Sequence, residues 1–170
     1  MEKTSHWLNI LANVGLIAGL ILVAIQISQN TATIKGSAYQ TWVAANLELN
    51  VAAAEENLSA TIGFGSVDSS NLSEETYIEF ALWNYSLFQL IQATDYLYQT
   101  GSLDHALWKS EIDRAAIHLR LPGVRQWWDA GGKTQLTPHF VELIESTNPS
   151  SNRWAWKEGM GFIPDDRWED

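Results

Sequence analysis

The chain has 170 residues, no cysteine and a formal net charge of −10. This charge disfavours nucleic-acid binding through a basic surface and adhesion to anionic lipid through a polybasic patch. The lack of cysteine excludes disulfides, thiolate metal sites and cysteine nucleophiles. About 140 residues follow the first apolar segment, which is enough for one small domain with a core.

The first segment, WLNILANVGLIAGLILVAIQI, covers residues 7–27. As a helix it would be roughly 31 Å long, about the thickness of the hydrocarbon core of a bilayer. No charged residue occurs between Lys3 and Lys35, and twelve of the 21 residues are Leu, Ile or Val. These twelve favour insertion by on the order of 4 to 7 kcal/mol. The segment therefore predicts a single uncleaved membrane anchor.

Two other interpretations of this segment were weighed. A cleavable signal peptide has an apolar core of about 7 to 15 residues and a small-residue cleavage site, whereas this run is longer and Ala24-Ile25-Gln26 is a poor site. A buried helix of a soluble domain is the second, because the segment contains the amides Asn9, Asn13 and Gln26. Length and lack of charge favour the anchor over both.

Spacing within the segment predicts a helix-packing face. Gly15 and Gly19 form a GxxxG pattern, which lets another helix approach closely in a membrane. Asn9 and Asn13 lie one turn apart on roughly the opposite face and would hydrogen-bond to another helix or to the interface. The predicted stripe comprises Ala12, Gly15, Gly19 and Val23. A chance GxxxG in an apolar run is the plainer explanation.

Residues 31–170 must lie on one side of the membrane, because no second apolar run qualifies as a span. The nearest competitor, Tyr77 to Tyr98, is interrupted by acidic and amide residues. Lys3 and Lys35 flank the span with one charge each, so the positive-inside rule gives no orientation.

The rest of the chain is predicted to be all-α. After the span, apolar residues at three- and four-residue steps indicate that the first helix continues to about Gly63; they are Ile34, Ala38, Trp42, Ala45, Leu49 and Ala52. Gly63 and Gly65 then predict a loop. Ser73 followed by two glutamates predicts the start of a helix that ends at Gly101.

Three further segments follow. Ser102 is the predicted cap of a helix that ends at Pro122-Gly123. A short helical piece covers Val124 to Trp128, and Thr137-Pro138 opens the last helix. The chain is thus predicted to have an anchor at 1–30, a helical bundle at 31–147 and an acidic, Trp-rich tail at 148–170.

The tail combines acidic residues with large aromatic side chains. It is too apolar for a simple disordered tail, and we expect it to contact its own bundle, a neighbouring subunit or the membrane surface. The contact residues predicted here are Trp154, Trp156, Phe162 and Trp168.

No catalytic or metal-binding pattern emerges from the sequence. A di-iron bundle requires Glu-x-x-His pairs, and no Glu in this chain has His three residues later. The reversed pair His139 and Glu142 is more typical of a surface contact. Nucleophile elbows and phosphate loops are absent. We therefore predict no catalytic residue, no metal and no cofactor.

The order of several segments resembles a family of small bacterial single-pass membrane proteins of unknown function. The similarity rests on AIQISQNT at 24–31, YLYQTGSLDHALW at 96–108, PGVRQWW at 122–128 and PHFVELI at 138–144. It implies a membrane-anchored helical protein, presumed here to lie in the bacterial inner membrane. Members carry basic residues just after the span, whereas this chain has Ser28 and Gln29. The family brings no activity that transfers to particular residues.

Three functions were weighed. The first is association through the membrane helix and tail, as a homo-oligomer or as an accessory subunit of a larger membrane complex. The second is a binding module for a lipid or pigment-like ligand, lined by the Tyr77 to Tyr98 helix and Trp127-Trp128. The third is a metal-dependent enzyme. The sequence favours the first, with the membrane and protein subunits as partners and no nucleic acid.

Overall fold

The structure, a computed structural model, describes the backbone of residues 2–149 and the side chains of residues 13–149. Six α-helices and two short 3-10 turns make up this part of the chain, and it contains no strand. The all-α prediction is confirmed. The helices are α1 Glu2–Ala53, α2 Glu56–Val67, α3 Glu74–Gln99, α4 His105–His118, α5 Pro122–Asp129 and α6 Pro138–Ser146. The 3-10 turns are Ser69–Asn71 and Gly132–Gln135.

The chain divides into two units at Val43/Ala44. The first unit consists of the α1 residues up to Val43, and no helix break marks the predicted boundary at residue 30. The second unit contains the end of α1 together with α2–α6. In it, α2 packs on α3 and α5, α3 packs on α4, and α4 packs on α6.

The core of the second unit is built mainly from α3 to α6. Aromatic and branched side chains meet at its centre because each helix places them at three- and four-residue steps. The deepest of them are Phe80, Phe88, Ile91, Ile112, Val124, Trp128, Phe140 and Ile144. On α1, Ala45, Leu49 and Ala52 are half-buried, and Leu49 packs against this core.

Local signals place three helix ends as predicted. The Ser73 hydroxyl accepts a hydrogen bond from the Thr76 N–H at 3.3 Å and caps α3, which ends just before Gly101 with its φ of 72°. The Thr137 hydroxyl accepts from the Phe140 N–H at 3.4 Å, with Pro138 at the first position of α6. These caps satisfy backbone groups that the helix leaves unpaired.

Three predicted boundaries are wrong. Gly63 and Gly65 do not form a loop but lie inside α2, and the helix break falls at Ala54–Glu55. Ser102 does not cap α4; the Asp104 carboxylate does, accepting from the Ala106 N–H at 2.7 Å. Pro122-Gly123 opens α5 rather than closing α4, since Pro122 occupies the first turn of α5.

The helical glycines explain the first of these errors. A Cβ on Gly123 would lie 1.7 Å from the Gly65 carbonyl oxygen, and a Cβ on Gly65 would lie 2.6 Å from the Phe80 ring. α2 and α5 therefore approach backbone to backbone, which only glycine permits. Gly65 therefore serves close packing between helices and not a turn.

We expect Gly123→Ala to destabilise the second unit by about 1 to 3 kcal/mol or more, because the clash is with backbone that cannot rotate away. Gly63→Ala is the matched control. Gly63 also lies in α2, but a Cβ added there would have nothing within 4 Å. The alanine should therefore stabilise the second unit by up to about 1 kcal/mol through its higher helix propensity. Urea unfolding of the detergent-solubilised chain, followed by far-UV circular dichroism, measures both. Equal midpoints for the two variants would contradict the packing described.

Candidate functional site

The α1 segment from Asn13 onwards is long and apolar enough to cross a membrane, by length and composition. Among the side chains of residues 13–149, none covers its most apolar window. Nine large apolar side chains between Val14 and Ile27 are exposed. Steps of 100° along a helix spread these positions around the whole circumference. This segment therefore presents an apolar surface in every direction.

The predicted helix-packing residues lie on this exposed segment. Gly15 and Gly19 have nothing within 4 Å of an added Cβ, so the stripe that they form is open to another helix. Val23 and Asn13 are exposed as well. The side chains of Asn9 and Ala12 lie outside the described residues, although both positions are helical.

The predicted tail contacts lie outside the described residues, which end at Pro149. This applies to Trp154, Trp156, Phe162 and Trp168. The chain leaves α6 near Arg120, whose guanidinium donates to the Asn148 side-chain oxygen at 3.1 Å. The tail contacts remain predictions.

A buried polar cluster, which we call the His118 cluster, lies between α3, α4 and the end of α1. His118 Nε2 lies 2.8 Å from Asn84 Oδ1, and Asn84 Nδ2 donates to the Phe80 carbonyl at 2.8 Å. Arg114 pairs with Glu111 and donates to Asn46 Oδ1 at 3.1 Å. The cluster thus ties three helices of the second unit together by hydrogen bonds.

Electrostatics keep His118 uncharged. Burial, together with the smaller effect of the nearby Arg114 charge, lowers the pKa of His118 to about 3. With a neutral ring, Nε2 carries the proton and donates to Asn84 Oδ1, whose amide is already used as a donor. Burial also raises the pKa of the Glu111 carboxyl, against the opposing effect of Arg114. Such a fixed, neutral histidine suits a structural role.

The sequence pattern alone does not identify this cluster. One signal was available. Asn84 occupies a core position, four residues after Phe80 and four before Phe88, both of them fully buried. A polar residue on a buried helical face needs a partner, and a histidine on the neighbouring helix supplies it.

Acid should weaken the fold through His118. The unfolded ring protonates near pH 6.5, whereas the folded ring does so only near pH 3. Between these values the unfolded state binds one more proton, so the free energy of unfolding falls by about 1.4 kcal/mol per pH unit of acidification. His118→Gln keeps a hydrogen-bond donor for Asn84 but has no titrating group. We expect this variant to lose the part of the pH dependence of the free energy of unfolding that His118 contributes, about 1.4 kcal/mol per pH unit. His105→Gln, at an exposed position, is the control; a wild-type slope in His118→Gln would refute the assignment.

A second polar group surrounds Asp95, which is buried on α3. Its carboxylate accepts from Trp108 Nε1 at 2.8 Å and from Gln99 Nε2 at 2.6 Å. His139 Nε2 lies 2.9 Å from Gln99 Nε2 and 3.5 Å from Asp95 Oδ2. His139 is exposed on α6, as a surface contact should be, and it joins α6 to α3. No group of three or more His, Asp or Glu side chains among residues 13–149 is arranged to hold a metal.

The aromatic residues of the ligand hypothesis lie in the core. Trp127 and Trp128 are buried on α5, and their rings lie 5.8 and 4.8 Å from the Phe88 ring. Trp128 Nε1 also donates to Glu145 Oε1 at 2.9 Å. Both tryptophans therefore pack in the core of the second unit. They contact each other and Phe88, which is how helix-core residues behave.

The exposed α1 segment is therefore the feature of this chain most in need of a partner. No protein-family model matches the chain, no curated protein matches it, and no solved structure matches it. The resemblance to bacterial membrane proteins stays a prediction, and function is inferred from the chain's own residues.

Proposed function

We propose that the protein is a single-pass membrane protein of the bacterial inner membrane that acts by association. It would assemble with itself or as an accessory subunit of a larger membrane complex. The observation that carries this proposal is the α1 segment around residues 14–27, which is uncharged and exposes apolar side chains on all sides. A lipid environment covers such a surface in every direction, and the helix satisfies its own backbone hydrogen bonds there.

Competing explanations for the same segment are weaker. None of the apolar window is buried among the residues that the structure describes, which supports a membrane span over a core helix. A soluble assembly would need other copies to cover the whole circumference of the helix. Membrane fractionation separates these cases, because a spanning helix resists alkaline carbonate extraction and a soluble assembly does not sediment with membranes.

Association is supported by the open stripe at Gly15 and Gly19. In lipid, helices associate through close packing rather than through the hydrophobic effect, so small residues that admit a neighbouring backbone favour contact. Nothing in the described chain occupies the space over these two glycines. Asn13 is exposed on roughly the opposite face, where its amide would hydrogen-bond to a further helix or to the interface. The tail aromatics, Trp154 to Trp168, are proposed as contacts outside the membrane.

The test replaces both glycines by a large residue. We expect Gly15→Ile/Gly19→Ile to weaken assembly by about ten-fold or more, because the added side chains keep the helices apart, at a cost on the order of 1 to 2 kcal/mol. Ile21→Phe enlarges an exposed side chain about 165° away from the stripe and about 80° away from Asn13, and it should leave assembly unchanged. Native gels and co-isolation of two differently tagged copies, both in mild detergent, report the result. Equal loss in both variants would show that the stripe has no special role.

A further inference from the structure

The end of α4, the α5 helix and the end of α6 border a cavity of about 310 Å³ that is open to solvent, here called the exit groove. Its floor is apolar and consists of Ala116, Leu119 and Ile144. Three charged side chains line its rim, those of Arg120, Arg125 and Glu145. Binding sites typically combine apolar walls with a few polar groups. We therefore expect an occupant that has both an apolar side chain and charges of its own.

The described chain ends beside this groove. Thr147, which lines the groove, follows α6 with extended backbone angles, φ −71° and ψ 122°. The Arg120 guanidinium donates to the side-chain oxygen of Asn148 at 3.1 Å, and Asn148 precedes a proline, which favours extended backbone as well. Pro149, the last described residue, is buried. The chain is therefore still held against the second unit at the point where the tail begins.

The first aromatic residues of the tail are within reach of the groove. Trp154 follows the last described residue by five positions, and an extended chain covers up to roughly 17 Å in five residues. This reach is sufficient because Thr147, earlier in the chain, already lines the groove. In an extended chain, alternate side chains point to the same side. Trp154 and Trp156 can thus face the groove together, while Arg153 and Lys157 point away from its arginines.

Charge also favours the tail as the occupant. Residues 44–149 contain five Lys and Arg against fourteen Asp and Glu, a net charge of −9. Residues 150–170 contain three against five, a net charge of −2. The two parts of the chain therefore repel each other over most of this surface. The rim of the exit groove, with Arg120, Arg125 and Glu145, carries +1 and attracts an acidic tail instead.

We propose that the tail docks in the exit groove of its own chain, with Trp154 over the floor and Trp156 beside the rim. The arginines supply the polar part of this contact, because a guanidinium is attracted to the face of an indole ring. Arg125 is accessible for it, since 49% of its side chain is exposed. Phe162 and Trp168 lie further along the tail and remain the contacts proposed for a partner.

Tethering favours the chain's own tail over other occupants of the groove. A segment joined to its site by a short flexible linker has an effective concentration on the order of millimolar. A second copy or a different protein reaches such a concentration only at high abundance. The inference goes beyond the proposed membrane association and does not depend on it, because all the residues that line the groove belong to the second unit.

Photo-cross-linking of the full chain tests the docking directly. A benzophenone amino acid placed at Trp154 keeps an aromatic ring there and reacts with whatever lies against it. After illumination, we expect an adduct that runs as a monomer on a denaturing gel. Mass spectrometry should map this adduct to residues 116–125 or 144–147, which line the groove. The same probe at Trp156 gives a second, independent reading of the contact.

Arg125→Glu should lower the yield of this adduct by about three-fold or more, because it removes a guanidinium and repels the acidic tail. Lys109→Glu is the matched control and should leave the yield unchanged. Both residues pair with an aspartate four positions later, and their side chains are exposed to similar extents, 49% and 43%.

An adduct with lipid, with a second copy or with another part of the second unit would overturn docking of the tail in its own groove. An equal loss of yield in Arg125→Glu and Lys109→Glu would overturn it as well. An adduct with a second copy would at the same time support the proposed association. Membrane anchoring is decided separately, by carbonate extraction, so failure of the docking and failure of the proposed function are distinguishable.

Discussion

Ile17→Arg/Leu20→Arg is expected to release the protein from the membrane. Both residues are exposed near the centre of the apolar segment, at 57% and 62%. An arginine near the middle of a span costs about 2.5 to 3.5 kcal/mol on an insertion scale, so two of them oppose insertion by about 5 to 7 kcal/mol. This cancels the favourable contribution of the twelve Leu, Ile and Val residues, which is of the same size.

Ile17→Phe/Leu20→Phe is the matched control for that experiment. It enlarges the same two side chains without adding charge and should remain in the membrane. Alkaline carbonate extraction followed by immunoblotting measures the membrane fraction of each variant. If the double arginine variant stayed fully membrane-bound, insertion of this segment could not be what holds the protein there.

Trp128→Ala is expected to lower the free energy of unfolding of the second unit by about 3 to 5 kcal/mol. The Trp128 side chain is fully buried against Phe88, and its loss also removes the hydrogen bond to Glu145. For a small domain this is a large share of the total stability. Phe64→Ala, at a 75% exposed aromatic, should change stability by less than about 0.5 kcal/mol. Hydrogen exchange of the detergent-solubilised chain would show the difference, and similar protection in both variants would contradict the core assignment.

Helix ends set by local chemistry were predictable from the sequence. Ser73 before two glutamates, Gly101 after a long apolar pattern, and Thr137 before Pro138 each act within one helical turn. Their signals depend on neighbours in sequence and not on the rest of the fold. The α3 and α6 boundaries accordingly agree with the structure.

Features that depend on distant residues were not predictable. The break at Ala54–Glu55 falls among good helix formers, and it is the packing of α2 on α3 and α5 that overrides their propensity. Gly65 was interpreted as a loop residue because its partner, Gly123, lies 58 positions away along the chain. In the same way, the pairing of His118 with Asn84 requires knowing that α3 and α4 are adjacent.

In the candidate site, too, some properties are local in the sequence and others depend on the three-dimensional structure. Composition alone predicts a helix able to span a membrane, because length and absence of charge are local properties of residues 7–27. The open space over Gly15 and Gly19 is a property of the three-dimensional structure and not of composition. Only the structure shows this, since the alternating apolar residues of the first helix fit either a core or an interface.

Sidedness tests the central claim, that α1 crosses the membrane, most directly. Ser5→Cys and Ser110→Cys place a single thiol before the span and in α4 of an otherwise cysteine-free chain. In sealed vesicles of uniform orientation, a membrane-impermeant maleimide should label one of the two variants, and both after permeabilisation. Equal labelling of both thiols in intact vesicles would contradict the account.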